Sequence, residues 1–187
     1  MNAQEAITKL KEGNGKYIAD QLQHNHSNDA RRISQTGGQA PFAIILSCAD
    51  SRVVPELVFD QGIGDIFIIR VAGNTANPSS IASIEYAVAH LGSKLIVVLG
   101  HESCGACGAA IVGGDNGPNL NHLLSFITPA VNQSGTKNVN DVVDINAKNQ
   151  AKTLITNSEI ISDAVANKGV EIITAFYNLN GGKVDFH

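Results

Sequence analysis

The sequence predicts an α/β fold: a mixed sheet of about four parallel strands and one antiparallel edge strand, flanked by helices. Three observations carry this. Four short apolar runs lie far apart in the chain, at Phe42–Ser47, Ile66–Val71, Leu95–Leu99 and Val170–Phe176. The first three are apolar along nearly their whole length rather than alternating, as in strands buried on both faces of a parallel sheet, and the fourth carries Glu171 and Thr174 among its apolar residues. Helical patterns separate the runs, which is the alternation of a sheet covered on both sides. The last run is followed by Asn180-Gly181-Gly182 and a short Lys183–Phe186 segment, which reads as a tight turn and an antiparallel return.

Taken in order, Ala3–Ile18 places Ile7, Leu10, Tyr17 and Ile18 at helical spacing, with Gly13 and Gly15 weakening its middle. Asn25–Gly38 is polar and reads as a connector. After the first two strands, Pro78-Ser79-Ser80 opens a helix whose Ile81, Ile84, Val88 and Leu91 share a face, closed by Gly92. The third strand leads to helices over Asn119–Ala130 and Val139–Ile155. Asn157 or Ser158 caps a shorter helix that runs to Asn167. No repeat or low-complexity segment is visible, and 187 residues read as a single domain spanning 1–187.

Composition removes several classes of function. A formal net charge of −4 with no basic cluster leaves no footprint for nucleic acid. No run approaches the ~20 apolar residues of a membrane span. The opening Met1-Asn-Ala-Gln-Glu-Ala6 lacks the basic and apolar regions of a secretory signal, so cytoplasmic residence is the default expectation. Three cysteines, Cys48, Cys104 and Cys107, are too few and odd in number for a disulfide framework. They are left for packing, metal binding or catalysis.

Two strands run into residues that carry chemistry. The first is followed by Cys48-Ala-Asp50-Ser-Arg52 and the third by Gly100-His101-Glu-Ser-Cys104-Gly105. In open α/β sheets ligands sit beyond the carboxyl ends of the strands. If these strands are near neighbours, Cys48, His101 and Cys104 converge there. Two thiolates and an imidazole suit zinc, and three protein ligands leave a fourth position open. Asp50 and Arg52, two apart, can point to one side, where the guanidinium can grip the carboxylate with two hydrogen bonds. Two other readings stay open. A structural zinc needs a fourth ligand, for which only Cys107 offers itself. Cys104-Gly-Ala-Cys107 is also a C-x-x-C pattern that can be redox active, although that reading leaves Asp50 and Arg52 without a task. Cys107 otherwise reads as a small packing residue, and Glu102 as a helix-start carboxylate.

The pattern Cys-x-Asp-Ser-Arg, then His-x-x-Cys-Gly after a buried strand, resembles the β-class carbonic anhydrases. Asp60-Gln-Gly-Ile-Gly-Asp-Ile-Phe-Ile-Ile-Arg70, Ser83-Ile-Glu-Tyr-Ala87 and Phe176-Tyr-Asn-Leu-Asn-Gly-Gly-Lys-Val-Asp-Phe186 extend the likeness over most of the chain, most weakly from Gly113 to Asn138. The resemblance implies one Zn²⁺ per chain on Cys48, His101 and Cys104, with Asp50 and Arg52 as a catalytic dyad. It implies hydration of carbon dioxide to bicarbonate and a proton by zinc-hydroxide attack. It further implies that Gln39, Phe67, Tyr86 and Gly105 contact substrate, the first three reaching the site from a partner subunit. The assembly would be a homodimer or homotetramer, with an N-terminal helical arm of about 1–36 embracing the partner. The bicarbonate-inhibited subtype carries a tryptophan three residues before the first cysteine, where this chain has Ile45. That difference and Gln39 point to a site that is open near neutral pH, with Asp50 on Arg52 rather than on the metal. A same-fold hydrolase of carbonyl sulfide or carbon disulfide, or a zinc or redox protein without turnover, are the alternatives.

Overall fold

A computed structural model describes residues 1–187. The expected sheet is present. Strands β1 (Ala43–Ser47), β2 (Ile66–Arg70), β3 (Leu95–His101), β4 (Glu171–Tyr177) and β5 (Val184–Phe186) line up in the order β2-β1-β3-β4-β5. The first four are parallel, and β5 pairs antiparallel with β4 through Tyr177↔Val184 and Ala175↔Phe186. All of β1 and β3 is buried, which explains why their sequences do not alternate. The edge strand β2 stays partly open.

Side chains of successive residues point to opposite faces, so each strand feeds two cores. One face, with Ile45, Val97 and Leu99, packs against α1 (Ala3–Ile18) and α3 (Pro55–Val58). The other, with Ile44, Leu46, Ile96 and Val98, is covered by α4 (Pro78–His90), α8 (Val139–Thr156) and α9 (Glu159–Asn167). Asn77 caps α4 by accepting from the Ser80 N–H at 2.9 Å, and Pro78 occupies its first turn, where no N–H is needed. A third cluster lies at the carboxyl ends of the strands under α5 (Gly105–Val112), α6 (Pro118–Ser125) and α7 (Thr128–Ser134), and it contains Cys48, Cys104 and Cys107. No helix is long and apolar enough to cross a membrane.

Several expectations are corrected. The polar connector contains a short helix, α2 (Asp29–Ser34), capped by Asn28, which accepts from the Arg31 N–H at 2.9 Å. The helix expected over Asn119–Ala130 is two helices, because Pro129 lacks an N–H and its ring is tolerated only in the first turn of α7. The middle of α1 is unbroken. Gly13 is there because the helix passes close to the Phe59 backbone: a Cβ at residue 13 would lie 1.8 Å from the Phe59 carbonyl oxygen. Asn14 then ties α1 to its own sheet, donating to the Val58 and Gly182 carbonyls at 3.1 and 2.9 Å and accepting from the Val184 N–H at 2.9 Å. Ile7 and Leu10 are buried in this chain's core beside Val53, Phe59 and Leu99, so that face is already covered without a partner.

Candidate metal centre

The strand order reverses at β1, whose two neighbours are β2 and β3, and a crevice opens there at the carboxyl ends. Ser47 pairs with Leu99, so Cys48 lies one residue beyond that pair on one strand and His101 two beyond it on the next. The chain leaves β3 through Ser103, whose φ of +55° is unusual for a residue with a side chain. That turn, held by the Ser103 N–H donating to Asn140 Oδ1 at 2.9 Å, brings Cys104 to the N-terminus of α5. The metal-binding atoms of Cys48, His101 and Cys104 consequently lie within 4.8 Å of one another, and all three residues are buried.

Two observations test whether a cation fits this cluster. His101 Nδ1 lies 2.9 Å from the Glu102 carbonyl oxygen, which can only accept, so the proton sits on Nδ1 and the lone pair on Nε2. Nε2 itself is fully buried and has no hydrogen-bond partner. An orphaned imidazole lone pair in a core is costly unless something binds it. The second observation is the pairing of thiols. The Cys104 sulfur beside it, with burial, pushes the Cys48 thiol up to about 12. The hydrogen bond with Cys107, again with burial, pushes Cys104 up to about 11. Buried sulfurs crowded together resist ionising unless a cation stabilises both. Two sulfurs and one nitrogen make a donor set suited to zinc.

Beside this cluster, Asp50 is gripped by Arg52. Its Oδ1 accepts from the Arg52 backbone N–H and Nε, both at 2.9 Å, and its Oδ2 accepts from Nη2 at 2.7 Å. The guanidinium holds the Asp50 carboxyl well below the usual carboxylate range. Asp50 Oδ2 also lies 3.9 Å from His101 Nε2, next to the space the three ligand atoms enclose.

Arg70, at the end of β2, is a functional candidate that only the structure assigns. It donates from Nε to the Cys48 carbonyl at 3.0 Å and from Nη2 to the Asp50 carbonyl at 2.7 Å, clamping the segment that carries both residues. The sequence offers two signals for it, a charge closing an otherwise apolar strand and a place at the end of the family-like segment Asp60–Arg70. Glu102 is not a free helix-start carboxylate: it accepts from the Asn180 N–H at 3.0 Å and secures the β4–β5 turn.

Of the other expected site residues, Gly105 joins the cluster and Gln39, Phe67 and Tyr86 lie away from it. Gly105 opens α5 next to Cys104, exposed, with nothing within 4 Å of where a Cβ would sit. Gln39 is exposed and precedes β1, so the length of that strand separates it from Cys48. Phe67 and Tyr86 form an aromatic pair with centroids 6.4 Å apart on the β2–α4 edge, and Tyr86 is 49% exposed. Phe67 pairs with Ile44 in the sheet, four residues short of Cys48. Within one chain, then, Cys48, His101, Cys104, Asp50, Arg52 and Gly105 come together, and Gln39, Phe67 and Tyr86 do not join them.

Comparison with known proteins bears on this cluster. A family model described as carbonic anhydrase matches residues 43–184. The chain is 36% identical over 181 residues to carbonic anhydrase 2 of Mycobacterium tuberculosis, covering 93% of this chain and 87% of the relative. It is 36% identical over 183 residues to a carbonic anhydrase of Mycolicibacterium smegmatis, covering 94% and 89%. Among solved structures it resembles a tetrameric β-carbonic anhydrase from Sordaria macrospora, with a TM-score of 0.74, 28% identity and coverage of 98% and 95%. It also resembles a Coccomyxa β-carbonic anhydrase solved with acetazolamide, with a TM-score of 0.74, 28% identity and coverage of 84% and 77%.

Proposed function

The chain belongs to the β-class carbonic anhydrase family, and from that premise we propose that it hydrates carbon dioxide reversibly with one zinc ion held by Cys48, His101 and Cys104. The observation that carries the ligand reading is the buried cluster itself, with an orphaned Nε2 and two sulfurs inside 4.8 Å. When bound, zinc supplies Lewis acidity that makes water a nucleophile near neutral pH. The chain's own residues do the rest. Glu102 fixes the tautomer that turns His101 Nε2 toward the cluster. Arg52 holds Asp50 as a carboxylate turned onto its guanidinium, so that it would stand beside a bound metal as an acceptor and not as a ligand. Asp50 then accepts a hydrogen bond from the attacking oxygen and orients its lone pair toward carbon. With zinc bound, these residues would present a water oxygen to the carbon of CO₂, giving bicarbonate and a proton that passes to buffer. Gly105, at a helix N-terminus with an N–H that has no intrahelical acceptor, faces the bicarbonate oxygens.

Gln39, Phe67 and Tyr86 complete the substrate cleft from a second copy of the chain. The strand lengths that separate Gln39 and Phe67 from Cys48, with Tyr86 on α4 beside Phe67, support this arrangement, which makes the active unit a dimer or a tetramer built of dimers. The three free thiols suit a reducing compartment such as the cytoplasm. The test is stopped-flow CO₂ hydration on protein whose metal content is measured. One zinc per chain with hydration activity is expected, and Cys48→Ala should lose both. Full zinc in Cys48→Ala would overturn the ligand set, and a zinc-loaded protein that hydrates nothing would overturn the reaction.

A further inference from the structure

We propose that Asn146 is a positioning residue that, through Gly73, holds a backbone N–H on the Cys48 sulfur and so sets how strongly that sulfur donates to a metal. The inference rests on the reading of Cys48 as a zinc ligand. It starts from two amides in the wrong place. Asn146 and Gln150 lie on the buried face of α8 beside Val142, Val143, Ala147 and Leu154, and are 0% and 2% exposed. Burying an amide is costly unless its hydrogen bonds are made, and an aliphatic side chain would pack there more cheaply. Their hydrogen bonds show what they are for. Asn146 donates to the Gly73 carbonyl at 2.8 Å and accepts from Gln150 Nε2 at 2.9 Å. Gln150 accepts from the Ala76 N–H at 2.8 Å and donates to the Phe126 carbonyl at 2.9 Å. Together they brace residues 73–76 from behind.

That segment meets the cluster at one point. The Gly73 N–H donates to Cys48 Sγ at 3.3 Å, joined by the Asp50 N–H at 3.4 Å. Gly73 has φ +68° and sits so close to Ile127 that a Cβ would come within 2.5 Å of its Cδ1. The turn therefore needs glycine, whose freedom leaves the backbone to be fixed from outside, and the Asn146 bond to its carbonyl does that. An N–H on a thiolate draws electron density from the sulfur and leaves the bound metal a stronger Lewis acid. With two thiolates cancelling the charge of a dication, that withdrawal matters more than it would in an all-histidine site.

The experiment uses the intact protein loaded with ¹¹³Cd²⁺ for NMR and with Co²⁺ for absorption. In the unaltered protein, the Cys48 β-protons and the Gly73 amide proton should both couple to ¹¹³Cd, the latter through the N–H···S bond. In Asn146→Ala the Gly73 coupling should vanish, and the sulfur-to-cobalt charge-transfer band should move to longer wavelength. The zinc form should lose about 10-fold in kcat, the low end for an outer-shell partner. Coupling to Cys48 without coupling to Gly73 would overturn the proposal and leave the metal reading standing. Coupling to neither would remove Cys48 as a ligand, and the proposal with it. An Asn146→Ala protein that melts earlier yet keeps the coupling and the band would reduce Asn146 to a packing role and overturn the proposal. If the alanine variant does not fold, Asn146→Ser, whose hydroxyl is too short to reach Gly73, carries the same readouts.

Discussion

At the scale of single residues the site is decided by who holds whom. On the proposed reading Asp50 can serve as an acceptor beside the metal only while Arg52 keeps it in place, and three hydrogen bonds hold the two together. Arg52→Ala should keep zinc while hydration falls about 10²-fold or more, because the freed carboxylate competes for the open position. Metal analysis beside stopped-flow rates checks this, and near-normal hydration would remove the dyad. Asp50→Ala should also keep zinc and lose activity. The pH sign follows from the direction of the shift. A carboxyl depressed in the folded state favours folding above its ordinary value and loses that contribution only as pH falls through the depressed one. Asp50 therefore stays ionised on Arg52 throughout the pH 5–9 range, and loss of activity on mild acidification is not protonation of Asp50. The thiols behave oppositely. With Cys48 and Cys104 pushed up to about 12 and about 11, both are protonated at pH 7.5, and binding zinc must expel both protons. Calorimetric titration of the metal-free protein in buffers of different ionisation enthalpy should find about two protons released per zinc. Release near zero would mean the sulfurs are not ligands.

At the scale of elements, α1 shows how one helix can carry two glycines for different reasons. Gly13 gives the helix its close approach to Phe59, and the obstacle is backbone, which cannot swing aside. Gly15 has nothing within 4 Å of a Cβ position. Gly13→Ala should destabilise the fold by about 1–3 kcal/mol, as overpacking does. Gly15→Ala should stabilise it by about 0.5–1 kcal/mol through helix propensity. Thermal unfolding of the two variants gives shifts of opposite sign, and equal shifts would refute the packing account. From sequence the two glycines looked alike, because helix propensity is local and the Phe59 carbonyl is 46 residues away. The split at Pro129 is the reverse case: the signal was in the chain, and the apolar pattern across it hid the break.

At the scale of the molecule, one chain is an incomplete enzyme on the proposed reading. Gln39 lies at the far end of β1 from Cys48, and Tyr86, paired with the partly buried Phe67, is exposed on the β2–α4 edge. A mixing experiment tests whether these residues act across subunits. Gln39→Ala and Asp50→Ala chains, each nearly inactive alone, are unfolded and refolded together. If Gln39 acts in the partner's site, mixed dimers carry one site with both defects and one with neither. Random 1:1 pairing then restores about a quarter of wild-type activity, given closed two-fold symmetry. No recovery above the average of the two parents would place Gln39 in its own chain's site or in none. Since Ile7 and Leu10 are spent on this chain's own core, an N-terminal arm has to grip its partner with other residues.

The sequence alone determined the sheet and its hairpin, because an unbroken apolar run, a Gly-Gly turn and a capped helix are each set by chemistry within a few residues. It also marked out the residues of the candidate site, because Cys48, Asp50 and Arg52, and then His101 and Cys104, sit in short patterns at strand ends. What only the tertiary structure decided involves residues far apart in the chain. The adjacency of β1 and β3 brings the two halves of the cluster together. The Arg70 clamp acts across 22 residues, and the bond from Asn146 to Gly73 across 73. Hydrogen bonds of that span depend on strand order and helix placement, which are settled by burying two faces of one sheet at once. A buried asparagine looks the same in sequence whether it braces a metal ligand or merely satisfies a neighbour, and only its partners in the folded chain tell the two apart.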